Sequence, residues 1–232
     1  FMNLDYFFKH IDELSFKDLF DNCDNVLDVF SKLNNYIEEK TEGINECKAD
    51  CTKFVSLNGN YIIGENTQIS DFVTIMGPVI IGKNVKIMPG VFIRPYTIIG
   101  DDCEIGHGSE IKHAIIMDKA KIASNTFVGD SLVGYKSRIG SGTISANRRF
   151  DQGNVILKKD EETIDLQTTF FGSVIGDLTR LGANVTTYPG TFIGSNTWIY
   201  PNTSVKGFIP SLKRVSNKKE LYITDNKIYD LK

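Results

Sequence analysis

The sequence predicts an all-β fold, a parallel β-helix in which short strands coil around one axis. A large aliphatic residue recurs at every sixth position along one stretch: Ile63, Ile69, Ile75, Ile81, Ile87, Ile93, Ile99, Ile105, Ile111 and Met117. Four residues after these come mostly small or β-branched side chains: Thr67, Val73, Val79, Val85, Val91, Thr97, Cys103, Ser109 and Ile115. A strict period of six fits neither one α-helix nor one alternating strand. It predicts repeated strands that each turn one aliphatic side chain inward, with a small side chain at the corner that follows.

The turns and the later part of the chain extend this pattern. Turn-forming residues follow the strands in Gly64-Glu65-Asn66, Gly82-Lys83-Asn84 and Gly100-Asp101-Asp102. Val133, Ile139 and Ser145 keep the period of six but lie out of frame with Met117. The repeat resumes at Ile175, Leu181, Thr187, Ile193, Ile199 and Val205. Residues 148–170 abandon the repeat, so we expect an excursion loop or hairpin there. Such a loop on a solenoid is commonly functional, and a tolerated surface insertion is the alternative.

Residues 1–47 have a helical pattern and are expected to form a cap of two or three short helices. Ser15 and Asp18 have the spacing of a capping box. Asp24 precedes an amphipathic run of Val26, Leu27, Phe30, Leu33 and Ile37. We expect the cap to cover one end of the β-helix, whose sheet edges and apolar interior need protection, with partner binding as the alternative. The β-helix is predicted over 48–210, and 211–232 is predicted to be a tail packed along it or extended towards a neighbour.

Composition narrows the functional classes. A net charge of -3 argues against nucleic-acid binding, which needs a basic stripe. No apolar run is long enough to span a membrane, and the N-terminus lacks a signal-peptide pattern. Cys47 and Cys51 have no second Cys/His pair at zinc-site spacing. We therefore expect reduced thiols in a cytoplasmic protein and no metal.

Two cationic residues occupy equivalent positions in the repeat. Arg94 and Lys112 each follow an inward aliphatic residue, Ile93 and Ile111. If a coil takes eighteen residues, they stack at about 4.8 Å, the spacing between strands. Stacked like charges repel unless an anion or a carboxylate lies between them. The pattern predicts a phosphate site, and two solvated cations near Glu110 are the alternative.

Three segments resemble a known family: Gly106–Ile116, Phe127–Ser131 and Gly140–Asn147. They are similar to the acetyltransferase domain of bifunctional sugar-1-phosphate nucleotidyltransferases, in the stand-alone form labelled pyrophosphorylase-like. The resemblance covers roughly residues 16–210 and implies a left-handed β-helix of hexapeptide repeats. It also implies acetyl-CoA or another acyl-CoA, a sugar phosphate or nucleotide sugar as acceptor, and a homotrimer. Nothing resembles the glycine-rich nucleotide loop, so nucleotidyl transfer by this chain alone is not expected.

The resemblance assigns roles to individual residues. Arg94 and Lys112 match the family's phosphate-binding cations, and Asn147 matches an asparagine near the substrate amine. The family's base histidine falls on Ser124, which needs another group to activate its hydroxyl. Two further substrate-binding positions, a tyrosine and an asparagine in the family, fall on Phe127 and Arg138. The coenzyme positions fall on Ser141, Ala183, Tyr200 and Pro201.

The histidines do not restore the missing base in this interpretation. His10 lies in the helical cap, His113 is expected to point away from Lys112, and His107 lies one hexad before His113. The related γ-type carbonic anhydrases need three histidine ligands in the coils, where this chain has two. Two functions stay open: an acyltransferase that Ser124 leaves impaired, or a degenerate module that binds a sugar phosphate or a protein partner without chemistry.

Overall fold

Three long parallel sheets form the sides of a triangular prism in the computed structural model, which describes residues 2–217. The chain passes from sheet 1 to sheet 2 to sheet 3 in each coil, and each strand pairs in parallel with the equivalent strand one coil away. The predicted left-handed parallel β-helix of hexapeptide repeats is confirmed.

The strands are short, as tight corners require. Sheet 1 comprises Asn45–Cys47, Tyr61–Ile63, Val79–Ile81, Thr97–Ile99, Ile115–Ile116, Leu132–Val133, Ser173–Ile175, Thr191–Ile193 and Phe208–Ile209. Sheet 2 comprises Asp50–Cys51, Gln68–Ile69, Lys86–Ile87, Glu104–Ile105, Lys121–Ile122, Arg138–Ile139, Arg180–Leu181, Trp198–Ile199 and Arg214–Val215. Sheet 3 comprises Ser56–Asn58, Thr74–Met76, Phe92–Ile93, Glu110–Lys112, Phe127–Gly129, Ile144–Ser145, Thr186–Thr187 and Ser204–Val205.

The prism interior holds the predicted aliphatic series with one change of frame. Ile99 pairs with Ile116, which belongs to the interior cluster, while Met117 packs in a second cluster outside the prism. The prediction that Met117 points inward is therefore wrong. The coil from Ile99 to Ile116 is one residue shorter than the coil from Ile81 to Ile99. The residue is missing from the corner that follows Lys112. The same shortening recurs in the next coil, where Val133 pairs with Ile116.

The ladder extends beyond the predicted bounds at both ends. Asn45–Cys47 already pairs with Tyr61–Ile63, so the first coil begins before residue 48. Arg214–Val215 pairs with Trp198–Ile199, so the coil continues past residue 210 into the predicted tail. The rest of that tail, residues 218–232, lies outside the described residues.

Helices fill much of the N-terminal segment. They are the α-helices Leu4–Phe7 (α1) and Val26–Thr41 (α2), with 3₁₀ helices at Ile11–Glu13 and Lys17–Phe20 between them. Asn25 caps α2, in a capping box with Asp28. The capping box predicted at Ser15 does not form, because Asp18 accepts hydrogen bonds from Tyr36 (2.6 Å) and Lys40 (2.8 Å).

This helical segment covers a side of the prism, not an end as predicted. One outward column of sheet 1 is apolar: Ile80, Ile98, Ile115, Leu132, Val174, Phe192 and Phe208. The buried face of α2, with Val29, Leu33 and Ile37, joins the cluster that contains most of this column. Apolar side chains on the outside of a sheet must be covered, so this face fixes where the helices pack.

Residues 148–170 form an excursion with a β-hairpin. Ile156–Lys159 pairs with Glu162–Asp165 in antiparallel register. Val155 and Leu157 are fully buried against the outer cluster, so this excursion packs on the prism instead of projecting from it. None of the helices within residues 2–217 has the length and apolar character of a membrane span.

The contact between helices and sheet should carry a large share of the folding free energy. Phe192 is fully buried and stacks on Phe171 with ring centroids 5.6 Å apart. Replacing a buried phenylalanine by alanine typically costs about 3–5 kcal/mol. We expect Phe192→Ala to lower the free energy of unfolding by this amount in chemical denaturation. Phe150→Ala, at a fully exposed ring, is the matched control and should change it by less than about 0.5 kcal/mol.

Candidate functional site

The corner between sheets 3 and 1 brings the two predicted cations together. Ile93 pairs with Ile111, so Arg94 and Lys112 occupy equivalent positions one coil apart. Each has a carboxylate partner: Arg94 Nη1 donates to Glu110 at 2.9 Å, and Lys112 Nζ donates to Asp130 at 3.1 Å. These partners offset the repulsion that the sequence predicts for a bare pair.

The two ion pairs differ in burial. The Arg94 and Glu110 side chains are both 38% exposed, and pairs of this kind contribute between about 0 and 1 kcal/mol. The Asp130 side chain is only 4% exposed. An incoming anion can therefore take Arg94 from Glu110 at little cost, whereas the Lys112–Asp130 pair belongs to the framework of the corner.

Asp130 is the centre of a buried polar cluster. Besides Lys112, its carboxylate accepts hydrogen bonds from His113 Nδ1 at 2.8 Å and Asn147 Nδ2 at 2.6 Å. Burial by itself would raise the pKa of Asp130, but the hydrogen bonds from His113 and Asn147 and the charge of Lys112 outweigh it and lower the pKa. Asp130 is therefore an anion around neutral pH.

His113 points into this corner, so the prediction that it points away from Lys112 is wrong. In the shortened corner His113 directly follows Lys112 and adopts a left-handed backbone conformation, with φ of 47°. The register places Tyr96, His113 and Asp130 above one another, because Ile98, Ile115 and Leu132 pair in sheet 1. His113 Nε2 lies 2.9 Å from the Asn34 side-chain oxygen on α2.

These side chains surround an open cavity of about 420 Å³. Its walls are Asn34, Arg94, Pro95, Tyr96, Lys112, His113, Asp130, Thr168 and Phe170. The predicted Phe127 and Asn147 lie just behind it: a Cβ on Gly129 would be 2.6 Å from the Phe127 ring and 2.9 Å from Asn147 Nδ2. Asn147 donates a hydrogen bond to Asp130. Four further residues belong to the site and were not predicted from the sequence: Asn34, His113, Asp130 and Phe170.

The remaining predicted residues lie mainly along another corner, between sheets 2 and 3. The strand before this corner contributes one column of paired residues: Ile122, Ile139, Leu181 and Ile199. The corner itself holds the residues two positions later: Ser124, Ser141, Ala183 and Pro201. Tyr200, 42% exposed, precedes Pro201. Ser124, Ser141 and Arg138 line a cavity of about 380 Å³ that contains neither Arg94 nor Lys112. One copy of the chain therefore divides the predicted site between two corners.

Ser124 lines the smaller cavity together with Glu104, Lys121 and Arg138. Among the described residues its side chain makes no hydrogen bond. His107 occupies the same position one coil away, since Asn125 N donates to the His107 carbonyl oxygen at 2.8 Å. The His107 ring turns to the Pro89 carbonyl oxygen, with Nδ1 at 2.6 Å. The carbonyl can only accept, so Nδ1 donates there and is not available to Ser124.

A third cavity, of about 870 Å³, lies between the 148–170 excursion and the coil. Five cationic side chains line it with a single acidic residue, Asp160: Arg148, Arg149, Lys158, Lys159 and Lys206. Its apolar walls come from Phe150, Ile156, Tyr188, Pro189, Phe208 and Pro210. We call this the hairpin groove.

Phe170 joins the hairpin groove to the Arg94–Lys112 cavity. Lys112 Nζ lies 4.5 Å from the centroid of the Phe170 ring, and Arg148 Cζ lies 5.0 Å from it. Both contacts are within the range of a cation–π interaction. The two cationic cavities are therefore neighbours with one aromatic ring between them.

Within residues 2–217, no group of three or more His, Cys, Asp or Glu side chains has the arrangement of a metal site. The Cys47 and Cys51 sulfurs lie 3.8 Å apart. Burial, together with the neighbouring Cys47, raises the pKa of Cys51 to about 11.

Comparison with known proteins identifies the family. A family model described as the GMPPB C-terminal domain matches residues 75–223. The chain belongs to this family. The resemblance to a nucleotidyltransferase-linked acetyltransferase domain is thereby confirmed.

Two curated relatives and one solved structure illustrate the similarity. The "Uncharacterized acetyltransferase YaiX" of Escherichia coli O6:K15:H31 is 35% identical over 180 residues, 78% of each chain. The "Bifunctional protein GlmU" of Methanococcus maripaludis (strain C7) is 44% identical over 197 residues, 85% of this chain and 47% of the relative. The chain thus spans less than half of that relative. The UDP-N-acetylglucosamine acyltransferase of Francisella novicida has 20% identity and a TM-score of 0.40 over 73% of this chain and 63% of its own.

Anion binding at the Arg94–Lys112 cavity is directly testable. Glucosamine-1-phosphate should raise the melting temperature, because a ligand that binds only the folded state stabilises it. Arg94→Ala or Lys112→Ala should abolish the shift, while Lys83→Ala, at an exposed corner, should keep it. Equal shifts in all four proteins would show that the phosphate binds elsewhere.

Proposed function

We propose that this chain transfers an acyl group from acyl-CoA to a sugar phosphate or nucleotide sugar. The observation that carries the proposal is the pair of neighbouring cationic cavities joined at Phe170. Such a reaction needs two anionic substrates whose reacting ends meet. Two adjacent cationic cavities of unequal size suit that requirement.

The Arg94–Lys112 cavity suits the acceptor. Its volume of about 420 Å³ is at the small end of the range for ligand pockets. Arg94 can give a phosphate two charge-assisted hydrogen bonds, and Lys112 adds a third donor. Asn34 of α2 adds an exposed amide to the lining, which can bind a hydroxyl group of a sugar.

The hairpin groove suits the donor. Coenzyme A carries phosphates and a planar base at one end and a long neutral arm at the other. The groove has cations from three segments and apolar walls, and Lys158 and Lys206 have no acidic partner among residues 2–217. With the nucleotide here, the arm would pass Phe170 and bring the thioester to the acceptor. The relatives' printed names, acetyltransferase and GlmU, support the same class of reaction.

Kinetics can separate the two cavities. Acyl transfer from acetyl-CoA to glucosamine-1-phosphate is followed by release of the thiol. Arg94→Ala should raise KM for the phosphosugar by about tenfold or more, with little change in KM for acetyl-CoA. The double variant Lys158→Ala/Lys206→Ala should do the reverse. Phosphosugar binding without turnover, with either acetyl- or longer acyl-CoA donors, would instead identify the degenerate binding module.

The residues that the resemblance assigns to the coenzyme lie on another corner, and this corner of a second copy is the alternative to the hairpin groove as the donor site. In a closed ring, the Ser124–Pro201 corner of one copy can face the Arg94–Lys112 corner of the next. We therefore keep the homotrimer as part of the proposal. Light scattering should give three times the chain mass of 26.0 kDa at micromolar concentration. A stable monomer would exclude any site shared between copies.

A further inference from the structure

His113 is a second candidate for the proton acceptor, besides Ser124, whose hydroxyl makes no hydrogen bond within residues 2–217. We propose that His113 Nε2 takes the proton from the acceptor amine, with Asp130 as its positioning residue. The inference rests on the proposed acyl transfer and adds a catalytic residue to it. It depends on one juxtaposition: a histidine bound to a buried carboxylate, facing the cavity that holds Arg94 and Lys112.

Asp130 fixes which ring nitrogen is reactive. Its carboxylate can only accept, so the proton of the neutral imidazole resides on Nδ1 and Nε2 keeps its lone pair. A carboxylate behind the ring also stabilises the imidazolium that forms when Nε2 takes a proton. Because the Asp130 side chain is 96% buried from solvent, water cannot replace the His113 contact easily.

The ring is held in place by its neighbours. Tyr96 packs edge-on with ring centroids 6.3 Å apart, and Phe30 of α2 packs at 6.0 Å. The His113 side chain keeps 26% of its surface exposed, enough to meet a substrate. A histidine fixed by a carboxylate and two rings loses little freedom on reaction, which favours general base catalysis.

Asn34 marks where the acceptor amine would lie. Its exposed side chain now occupies the hydrogen-bonding position of Nε2, at 2.9 Å. Rotation of the amide presents either its oxygen or its NH₂ group to the ring. An amine on a sugar whose phosphate lies between Arg94 and Lys112 would displace Asn34 and take this place.

The proposed transfer of the acyl group from the thioester to the amine conserves all atoms and protons. The amine nitrogen attacks the thioester carbon, and its proton passes to His113 Nε2 as the C–N bond forms. The C–S bond breaks, and the thiolate leaves with the proton that Nε2 returns. The products are an amide and the free thiol of coenzyme A, and His113 ends neutral.

The test compares both coil histidines and Ser124 in the full chain. His113→Asn should lower kcat for acyl transfer to glucosamine-1-phosphate by about 10²–10⁴-fold with little change in KM. Asparagine suits this variant because it tolerates a left-handed backbone conformation. His107→Asn is the matched control and should keep kcat within about twofold, and Ser124→Ala measures what the other corner contributes.

A spectroscopic measurement tests Asp130 without turnover. In ¹⁵N NMR spectra, neutral His113 should carry its proton on Nδ1, and Asp130→Asn should shift the ring towards a mixture of tautomers. Phosphosugar should change the Nε2 resonance in the unmodified protein.

The possible results of these experiments distinguish the role of His113 from the proposed acyl transfer. Turnover that persists in His113→Asn, with the melting temperature and phosphosugar binding retained, overturns the inference and leaves the proposed function intact. Loss of turnover in His107→Asn or Ser124→Ala with retention in His113→Asn assigns the base to the other corner. No turnover in the unmodified protein overturns both. If His113→Asn does not fold, His113→Gln carries the same test.

Discussion

Backbone pairing between successive coils is the constraint on which the rest of the structure depends. Each strand must hydrogen-bond to the strand one coil away, so side chains at equivalent positions form columns along the prism. The interior aliphatic column, the apolar outer column on sheet 1 and the Tyr96–His113–Asp130 column are three results of the same register. Residues far apart in sequence thereby become neighbours without any long-range loop.

The period of six was sufficient to predict the interior and the proximity of Arg94 and Lys112. Both follow from counting residues while every coil has the same length. The count fails where a corner loses a residue, between Lys112 and Ile116, because a period contains no information on a local deletion. Met117 and His113 were both assigned wrongly for this single reason, since His113 lies in the shortened corner and Met117 lies beyond it.

The side-on packing of the helices was not predicted, although the sequence contains its signal. Pairs of apolar residues such as Ile98-Ile99 and Ile115-Ile116 put one side chain inside and one outside the same sheet. A period-six search counts only the inner member of each pair. Glu110 was recognised from the sequence as a neighbour of the two cations, whereas Asp130 was missed, because it lies next to His113 only through the corrected register. Helix packing matters for the site, because α2 supplies Asn34 and Phe30 to its wall.

The corner between sheets 3 and 1 is where we propose that acceptor and donor meet. A crystal structure of the full chain with glucosamine-1-phosphate and coenzyme A tests this most directly. We expect the phosphate between Arg94 and Lys112, the amine within hydrogen-bond distance of His113 Nε2, and the nucleotide in the hairpin groove. A phosphosugar bound beside Ser124 and Arg138, with the Arg94–Glu110 pair unbroken and the hairpin groove unoccupied, would contradict the account.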